Sequence, residues 1–227
     1  MNNRYLFRYG LTVGKEIRYN ITTSGSFKLV GPAGEHTTPI KIDMIMCQKV
    51  ESFDGEKGVV RITIEKAVTD CDIPKENMPE VGKSFTMEMD QLGNCRWIDG
   101  KASWAGAEHT MMIFPEPEVE IGSTWVQKME ETAGSGVPFY NRYRLNGRDR
   151  RNTDLINFAS EVYSGHPDNP QSRSLGKGSF TFNLVDQWIQ DSDVRIKYEY
   201  LIPVPDRPGV LLKAKTVLNV DMERIIE

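Results

Sequence analysis

Apolar and polar residues alternate with a period of two along most of the chain, which is the pattern of half-buried β-strands. The clearest stretch runs from Val194 to Ile202, where Val, Ile and Tyr alternate mainly with Arg, Lys and Glu. The same alternation occurs in Ile17–Ile21 and Ile40–Met46. The helical spacing between strands that a parallel sheet requires is missing, so the pattern predicts antiparallel strands.

Turn residues divide the alternating stretches into hairpins. Asp54-Gly55 lies between two of them and predicts a long hairpin over residues 39–68. Asn146-Gly147 predicts a second hairpin turn after the stretch that begins at Phe139. We expect the return strand within residues 154–163, where a helix is the alternative. Residues 4–9 predict a short opening strand.

One segment is the least strand-like part of the chain. In residues 101–113, Trp104, Ala107 and Met111 have the spacing of one helix face, and Gly106 weakens that pattern. A short helix and a covering loop are equally compatible with it.

Two landmarks recur in the same order. Ser84-Phe85-Thr86 and Ser179-Phe180-Thr181 each follow a Gly-Lys pair and each lead to a Trp-Ile pair. Val13-Gly14 and Ile121-Gly122 are a second matched pair. We therefore predict a single β domain over residues 1–227 with an internal pseudo-repeat, 1–113 and 114–227.

These observations predict an all-β fold. Ten to twelve strands in two similar halves, with little helix, fit a large curved antiparallel sheet, either a half-barrel or a barrel, with one apolar and one solvated face. At 227 residues the chain is long enough for a sizeable core in one β domain.

Composition and charge narrow the classes of function. The net charge of −4 disfavours bulk nucleic-acid binding, which requires a basic surface. No apolar run approaches the ~18 residues that span a bilayer, and the chain as given opens without the apolar region of a signal peptide. We therefore expect a cytoplasmic location.

The three cysteines, Cys47, Cys71 and Cys95, are isolated from one another in the sequence, so we expect reduced and inert thiols.

Motifs for catalysis are weak. His36, His109 and His166 are far apart in sequence, so no metal-ligand spacing exists, and we expect neither a metal nor another cofactor. Gly176-Lys177-Gly178-Ser179 lacks the spacing of a phosphate loop and leads into a strand. An enzyme with loop-borne groups near His109 or His166 is the least favoured interpretation.

Residues of the expected inward face are the first candidate binding site. Methionine is flexible and polarizable, which suits a surface that adapts to apolar partners. A concave sheet lined in this way can hold an amphipathic molecule, although the same residues also suit a packed core, which is slightly favoured. The candidate lining residues are Met44, Met46, Phe85, Met87, Met89, Met129, Phe180, Phe182, Tyr198 and Tyr200.

A second candidate is a basic stretch in this acidic protein. Arg142, Arg144 and Arg148 flank Asn146-Gly147, and a hairpin there would bring them together on a phosphate or carboxylate. The favoured alternative is a charged strand edge that blocks sheet-to-sheet aggregation.

The segment from Phe114 to Trp125 resembles a motif of known domains. Its proline-rich start and Val119-Glu120-Ile121-Gly122 are similar to the Val-x-Ile-Gly-x-x-Trp segment of β-rich bacterial domains of unknown function, many of which look like lipoproteins. Their Tyr-rich opening strand near a Val-Gly resembles Tyr9–Gly14. The resemblance implies a fold related to the half-barrel lipoprotein carriers and assigns no catalytic residue.

The leading hypothesis is a non-catalytic binding protein that holds an apolar or amphipathic small molecule on a concave β-sheet. The alternative is a structural or interaction protein that self-associates, for example as a homodimer. It would have a filled interior and no ligand. No nucleic-acid partner and no membrane span are expected.

Overall fold

The computed structural model describes residues 4–31, 34–72, 78–99, 111–128, 139–203 and 211–226. These residues form thirteen strands and no helix, which confirms the all-β prediction. In this part of the chain, therefore, no helix is long and apolar enough to cross a membrane.

The strands are long and follow the period-two stretches of the sequence. In chain order they are β1 (Arg4–Tyr5), β2 (Glu16–Gly31), β3 (Gly34–Phe53), β4 (Lys57–Val68), β5 (Ser84–Asp90), β6 (Cys95–Asp99), β7 (Val119–Glu120), β8 (Thr124–Lys128), β9 (Phe139–Arg148), β10 (Leu155–Ser164), β11 (Arg173–Asn183), β12 (Trp188–Pro203) and β13 (Leu211–Arg224).

Eleven of these strands form one large, curved antiparallel sheet in the order β6-β5-β4-β3-β2-β13-β12-β11-β10-β9-β8. Every neighbour in this order is also a chain neighbour except β2 and β13, which join the two halves at the centre. The sheet does not close into a barrel, because β6 and β8 are its two ends. Strands β1 and β7 pair separately.

The first predicted hairpin is confirmed. Strands β3 and β4 are joined at Asp54–Glu56, where the Asp54 carboxylate accepts hydrogen bonds from the backbone N–H groups of Glu56 (2.8 Å) and Lys57 (2.7 Å). Gly55 has φ of 102°, a conformation that glycine adopts without strain.

The second predicted turn is wrong. Strand β9 continues through Asn146-Gly147 to Arg148, and the turn lies at residues 149–154. The carboxylate of Asp149 stabilises that turn by accepting hydrogen bonds from the N–H groups of Arg151 (2.7 Å) and Asn152 (3.1 Å). Asn146-Gly147 instead lies where the β9–β10 register shifts, which is a β-bulge.

Three further predictions have mixed outcomes. The opening strand at residues 4–9 is wrong beyond Tyr5, because the chain leaves the small β1–β7 sheet there and enters the interior. Residues 154–163 are a strand, as favoured, and belong to β10. The segment 101–110 lies outside the described residues, and Met111, just after it, is buried.

Two irregular segments, residues 6–12 and 111–118, fill part of the concave side. Phe7, Tyr9, Met112 and Phe114 are at most 2% exposed and belong to the same core as the inward side chains of the sheet. Backbone hydrogen bonds attach both segments to the β5–β6 turn, from Tyr9 N–H to the carbonyl of residue 91 (2.7 Å) and from Phe114 N–H to that of residue 92 (2.8 Å).

Tyr9 links the two inserted segments to each other and to the sheet. Its hydroxyl donates to the carbonyl oxygen of Met112 (2.9 Å) and accepts from the Met112 N–H (3.2 Å). Its ring lies 5.3 Å from Phe114, 5.8 Å from Phe182 and 5.2 Å from Trp188 between centroids. Burial raises the pKa of Tyr9 well above its usual value, so the hydroxyl stays protonated and can donate.

The two landmark phenylalanines have matching irregularities beside them. Phe85 on β5 and Phe180 on β11 are both 2% exposed, and each strand is the middle one of three consecutive antiparallel strands. The register shifts directly after Thr86 in one case and after Thr181 in the other. The pseudo-repeat stays a prediction, and these matched bulges support it.

We expect Tyr9→Phe to lower the free energy of unfolding by about 1–3 kcal/mol, because it leaves the buried Met112 N–H and carbonyl groups without their partner. Chemical denaturation monitored by circular dichroism measures the change. Tyr163→Phe is the matched control, since the Tyr163 hydroxyl bonds Glu161 in a partly exposed position. Equal losses in both variants would contradict a special role for Tyr9.

Candidate functional site

The burial of side chains on the concave face decreases along the four central strands. Strands β3, β2, β13 and β12 pair without register shifts, so their inward residues form straight rows across the sheet. The row of Met44, Ile21, Met222 and Ser192 is buried. Further along the strands, away from the inserted segments, most inward side chains are only half-buried.

Within this half-buried region, β13 carries small residues between larger ones. Thr216 lies opposite Tyr198 on β12 and Phe27 on β2, and the next row places Ala214 between Tyr200 and Leu29. Thr216 is 4% exposed and Ala214 is fully buried, whereas their four larger neighbours are half-buried. The backbones of β12 and β2 are two strand spacings apart, about 9.5 Å.

We call this arrangement the β13 trough, with Ala214 and Thr216 as its floor and Tyr198, Tyr200, Phe27 and Leu29 as its walls. The two tyrosine rings stack at 5.4 Å between centroids with an interplanar angle of 23°. Burial, and then the neighbouring Tyr200, raise the pKa of Tyr198, while the Thr216 hydroxyl lowers it. The phenol of Tyr198 is therefore neutral at physiological pH.

The floor of the trough contains a buried polar atom. The hydroxyl oxygen of Thr216 makes no hydrogen bond of normal geometry within the described part of the chain, although it lies near enough to the Tyr198 hydroxyl to lower that group's pKa. The amide oxygen of Asn141, on the same face of the sheet at β9, is also buried without a hydrogen bond from a described residue. Its amide nitrogen donates to the Tyr143 hydroxyl (3.0 Å). Each such atom costs about 1–3 kcal/mol unless something bonds it.

Two glycines allow neighbouring strands to approach closely next to the trough. Gly25 on β2 lies opposite Leu218, one row from the trough, and a Cβ there would lie 1.9 Å from the Val217 carbonyl oxygen. Gly176 on β11 has the same property, since its Cβ would lie 2.1 Å from the Arg195 carbonyl oxygen. Larger residues would push these strands apart.

The trough is electrically neutral. The inward positions of β12 from Val194 to Ile202, and of β13 from Leu212 to Val220, carry no Asp, Glu, Lys or Arg. The charged residues of these strands face outwards, where Glu199 forms ion pairs with Lys213 (2.7 Å) and Lys215 (3.2 Å). The trough therefore suits an uncharged body better than an anion or a cation.

The structure separates the predicted lining residues into two groups. Tyr198 and Tyr200 line the trough. Met129 lies outside the described residues. The others are 0–3% exposed and lie in the packed core: Met44, Met46, Phe85, Met87, Met89, Phe180 and Phe182.

The three predicted anion-binding arginines contact different partners. Arg142 pairs with Asp168 (2.7 Å) and lies over the Tyr163 ring. Arg148 donates to the carbonyl of residue 153 and lies over Tyr5, and the exposed Arg144 is on β9 opposite residue 159. No hairpin turn forms at Asn146-Gly147, so these three arginines are not brought together on one ligand.

The groups considered for metal or catalysis are dispersed. The described residues contain no cluster of three His, Cys, Asp or Glu that could hold a metal ion. His166 lies against Tyr140 and accepts a hydrogen bond from the Asp168 N–H (3.3 Å), whereas His36 is exposed and His109 is outside the described residues. Cys47 is buried, which raises the pKa of its thiol.

Sequence reasoning missed the floor and one wall of the trough. The sequence signal that could have identified them is the alternation of apolar and polar residues around Phe27, Leu29, Ala214 and Thr216. Alternation shows which residues share a face, but the pairing of β2 with β13 is needed to bring these four together.

No family model matches the sequence, and the search of curated proteins found no match either.

The opposite, convex face of the same hairpin carries repelling carboxylates. Asp193 lies directly across from Asp221, and Asp191 across from Glu223. Burial, followed by the charge and hydrogen bonding of Asp193, raises the pKa of Asp221. Burial, partly offset by Thr181 and increased by Glu223, raises the pKa of Asp191. These pairs weaken the β12–β13 hairpin at neutral pH.

We expect Thr216→Val to raise the free energy of unfolding of the ligand-free protein by about 1 kcal/mol, because the isosteric side chain removes a buried hydroxyl that lacks a hydrogen bond of normal geometry. Denaturation midpoints measure the effect. Thr37→Val, on the exposed outer side of β3, is the matched control and should change stability little. A destabilised Thr216→Val protein would show that the hydroxyl is already bonded.

We expect Asp221→Asn to stabilise the protein at pH 7 by up to about 0.5 kcal/mol, allowing for solvent screening. Because the folded-state pKa of Asp221 is raised, its repulsion acts above that pKa and fades as the pH falls toward the unfolded value of about 3.9. The difference in unfolding free energy between variant and wild type should therefore shrink from pH 7 to pH 4. Asp70→Asn, which removes the partner of Lys41, should instead destabilise at pH 7.

Proposed function

We propose that the protein is a non-catalytic binding protein, which holds an apolar or amphipathic small molecule in the β13 trough. The observation that carries the proposal is the trough itself, a neutral groove between stacked tyrosines and Phe27 with a buried hydroxyl in its floor that lacks a hydrogen bond of normal geometry. The cytoplasmic location expected from the sequence is part of the same proposal.

The shape of the trough favours a narrow, elongated ligand. Its floor follows one strand, with successive inward residues about 6.6–6.8 Å apart, and its width corresponds to the single strand that separates β12 from β2. An aliphatic chain or flat ring system that lies along β13 would contact both walls at once. Contact with Tyr198, Tyr200 and Phe27 would remove their half-exposed rings from water.

The polar atom in the floor favours a ligand with a hydrogen-bonding group. A hydroxyl or amide of the ligand that displaces the half-buried side chains over Thr216 would bond its hydroxyl and so offset the cost of its burial. A charged head group gains little there, because no opposite charge lies on the inward face of β12 or β13 to compensate its desolvation. Neutral amphiphiles are the class that fits.

The alternative is a self-associating protein with a filled interior. The packed core around Tyr9, Phe114 and Trp188 favours it, because this part of the concave face is already occupied by the chain. Under this alternative a second copy would cover the half-buried side chains of the trough. Oligomeric state and bound ligand therefore distinguish the two functions.

We expect the double variant Tyr198→Ala, Tyr200→Ala to bind the neutral apolar dye Nile red about tenfold more weakly than the wild type, because two aromatic contacts are lost. Fluorescence titration measures the dissociation constant. Leu201→Ala is the matched control, since Leu201 is on the same strand but points outwards and is 61% exposed. It should bind the dye as the wild type does.

Native mass spectrometry of protein purified from its own host tests the same proposal without an added probe. We expect a monomer with additional mass that extraction with organic solvent removes, and less of that mass in the double variant. A dimer without bound small molecules, together with equal dye binding by all three proteins, would contradict the proposal and support self-association.

A further inference from the structure

A shallow, open groove of about 360 Å³ lies on the convex face, where β11 meets β12. It is separate from the β13 trough, which is on the concave face. Its lining residues are Ser174, Leu175, Gly176, Lys177, Arg195 and Lys197. The β10–β11 register shifts after Val162, so Leu175 is the extra residue of a β-bulge, a distortion that is common beside binding sites.

The groove gathers positive charge at a strand pair where like charges repel. Lys177 lies directly opposite Arg195 in the β11–β12 register, and Lys197 follows two residues later on the same face. Like charges in directly opposed positions destabilise a sheet. Arg195 and Lys197 form no ion pair with any described residue, so no carboxylate of the described part of the chain neutralises them directly.

Three acidic residues lie around the groove. Glu161 pairs with Lys177 (3.1 Å) and also accepts a hydrogen bond from the Tyr163 hydroxyl (2.5 Å). Glu199, two residues after Lys197, forms ion pairs with Lys213 and Lys215. Asp193, two residues before Arg195, is across from Asp221. Even with Glu161 and Asp193 counted against Lys177, Arg195 and Lys197, the groove keeps an excess of positive charge.

We infer that this groove binds a phosphate monoester group. Arginine supplies a planar pair of donors that matches phosphate oxygens, and two lysines add point charges. The hydroxyl of Ser174 stands at the edge of the same groove as a further donor. Leu175 and the aliphatic stems of the basic side chains provide an apolar surface for the organic part of the ester. The bound anion would relieve the repulsion between Lys177 and Arg195.

The test is titration of the full chain with inorganic phosphate, with glycerol 3-phosphate, and with phosphatidylcholine vesicles that contain phosphatidic acid. Calorimetry follows the soluble ligands and co-sedimentation follows the vesicles. We expect binding in at least one arm that weakens about tenfold in Arg195→Gln, Lys197→Gln, because two charge-assisted contacts are lost. Vesicle binding indicates a lipid head group, and binding only of glycerol 3-phosphate indicates a soluble ester.

The matched control is Lys213→Gln, Lys215→Gln, which removes the same charge from the same hairpin at residues that are ion-paired to Glu199. It should bind phosphate within about twofold of the wild type, because only general electrostatics change. Amide chemical shifts of residues 174–177 should respond to phosphate in both the wild type and this control. No binding in any arm, or equal weakening in both double variants, would overturn the inference.

Discussion

A single sheet of eleven strands exposes two faces to water, and the described residues provide neither a helix nor a second large sheet to cover its apolar side. The chain solves this constraint by curving the sheet and by inserting its own irregular segments, 6–12 and 111–118, into the concavity. Tyr9 holds the inserted segments together through both hydrogen bonds of its hydroxyl to Met112. Where the insertion ends, the concave face of β2 and β13 is only half covered, and this boundary creates the trough.

Much of the fold was predictable because a half-buried strand needs a period of two. Val194–Ile202 and the hairpin at Asp54-Gly55 are local features, and both are confirmed. The failures arose where tertiary contacts overrule local signals. Residues 6–9 alternate like a strand, yet Phe7 and Tyr9 are inserted into the core, and Asn146-Gly147 forms a bulge because Asp149 stabilises a later turn.

The candidate sites were harder to predict for a different reason. Periodicity assigns Met44, Met87 and Tyr198 to the same face, but it does not reveal that Met44 and Met87 lie under the inserted segments while Tyr198 lies beyond them. Likewise Arg195 and Lys177 are 18 positions apart, and only the register places them side by side. Sites made by cross-strand pairing depend on long-range contacts, which a single sequence does not contain explicitly.

The pairing of β2 with β13 has a consequence for biosynthesis. Val30 and Lys213 are paired although they are 183 positions apart, and contacts between such distant positions are among the slowest to form. During translation the ribosome completes β2 to β6 long before β13 emerges, so one side of β2 must wait with its hydrogen-bonding groups unmatched. An unpaired strand edge of this length is a template on which other nascent chains can pair and aggregate. The early half of the chain therefore exposes a free pairing edge until the final strand is made.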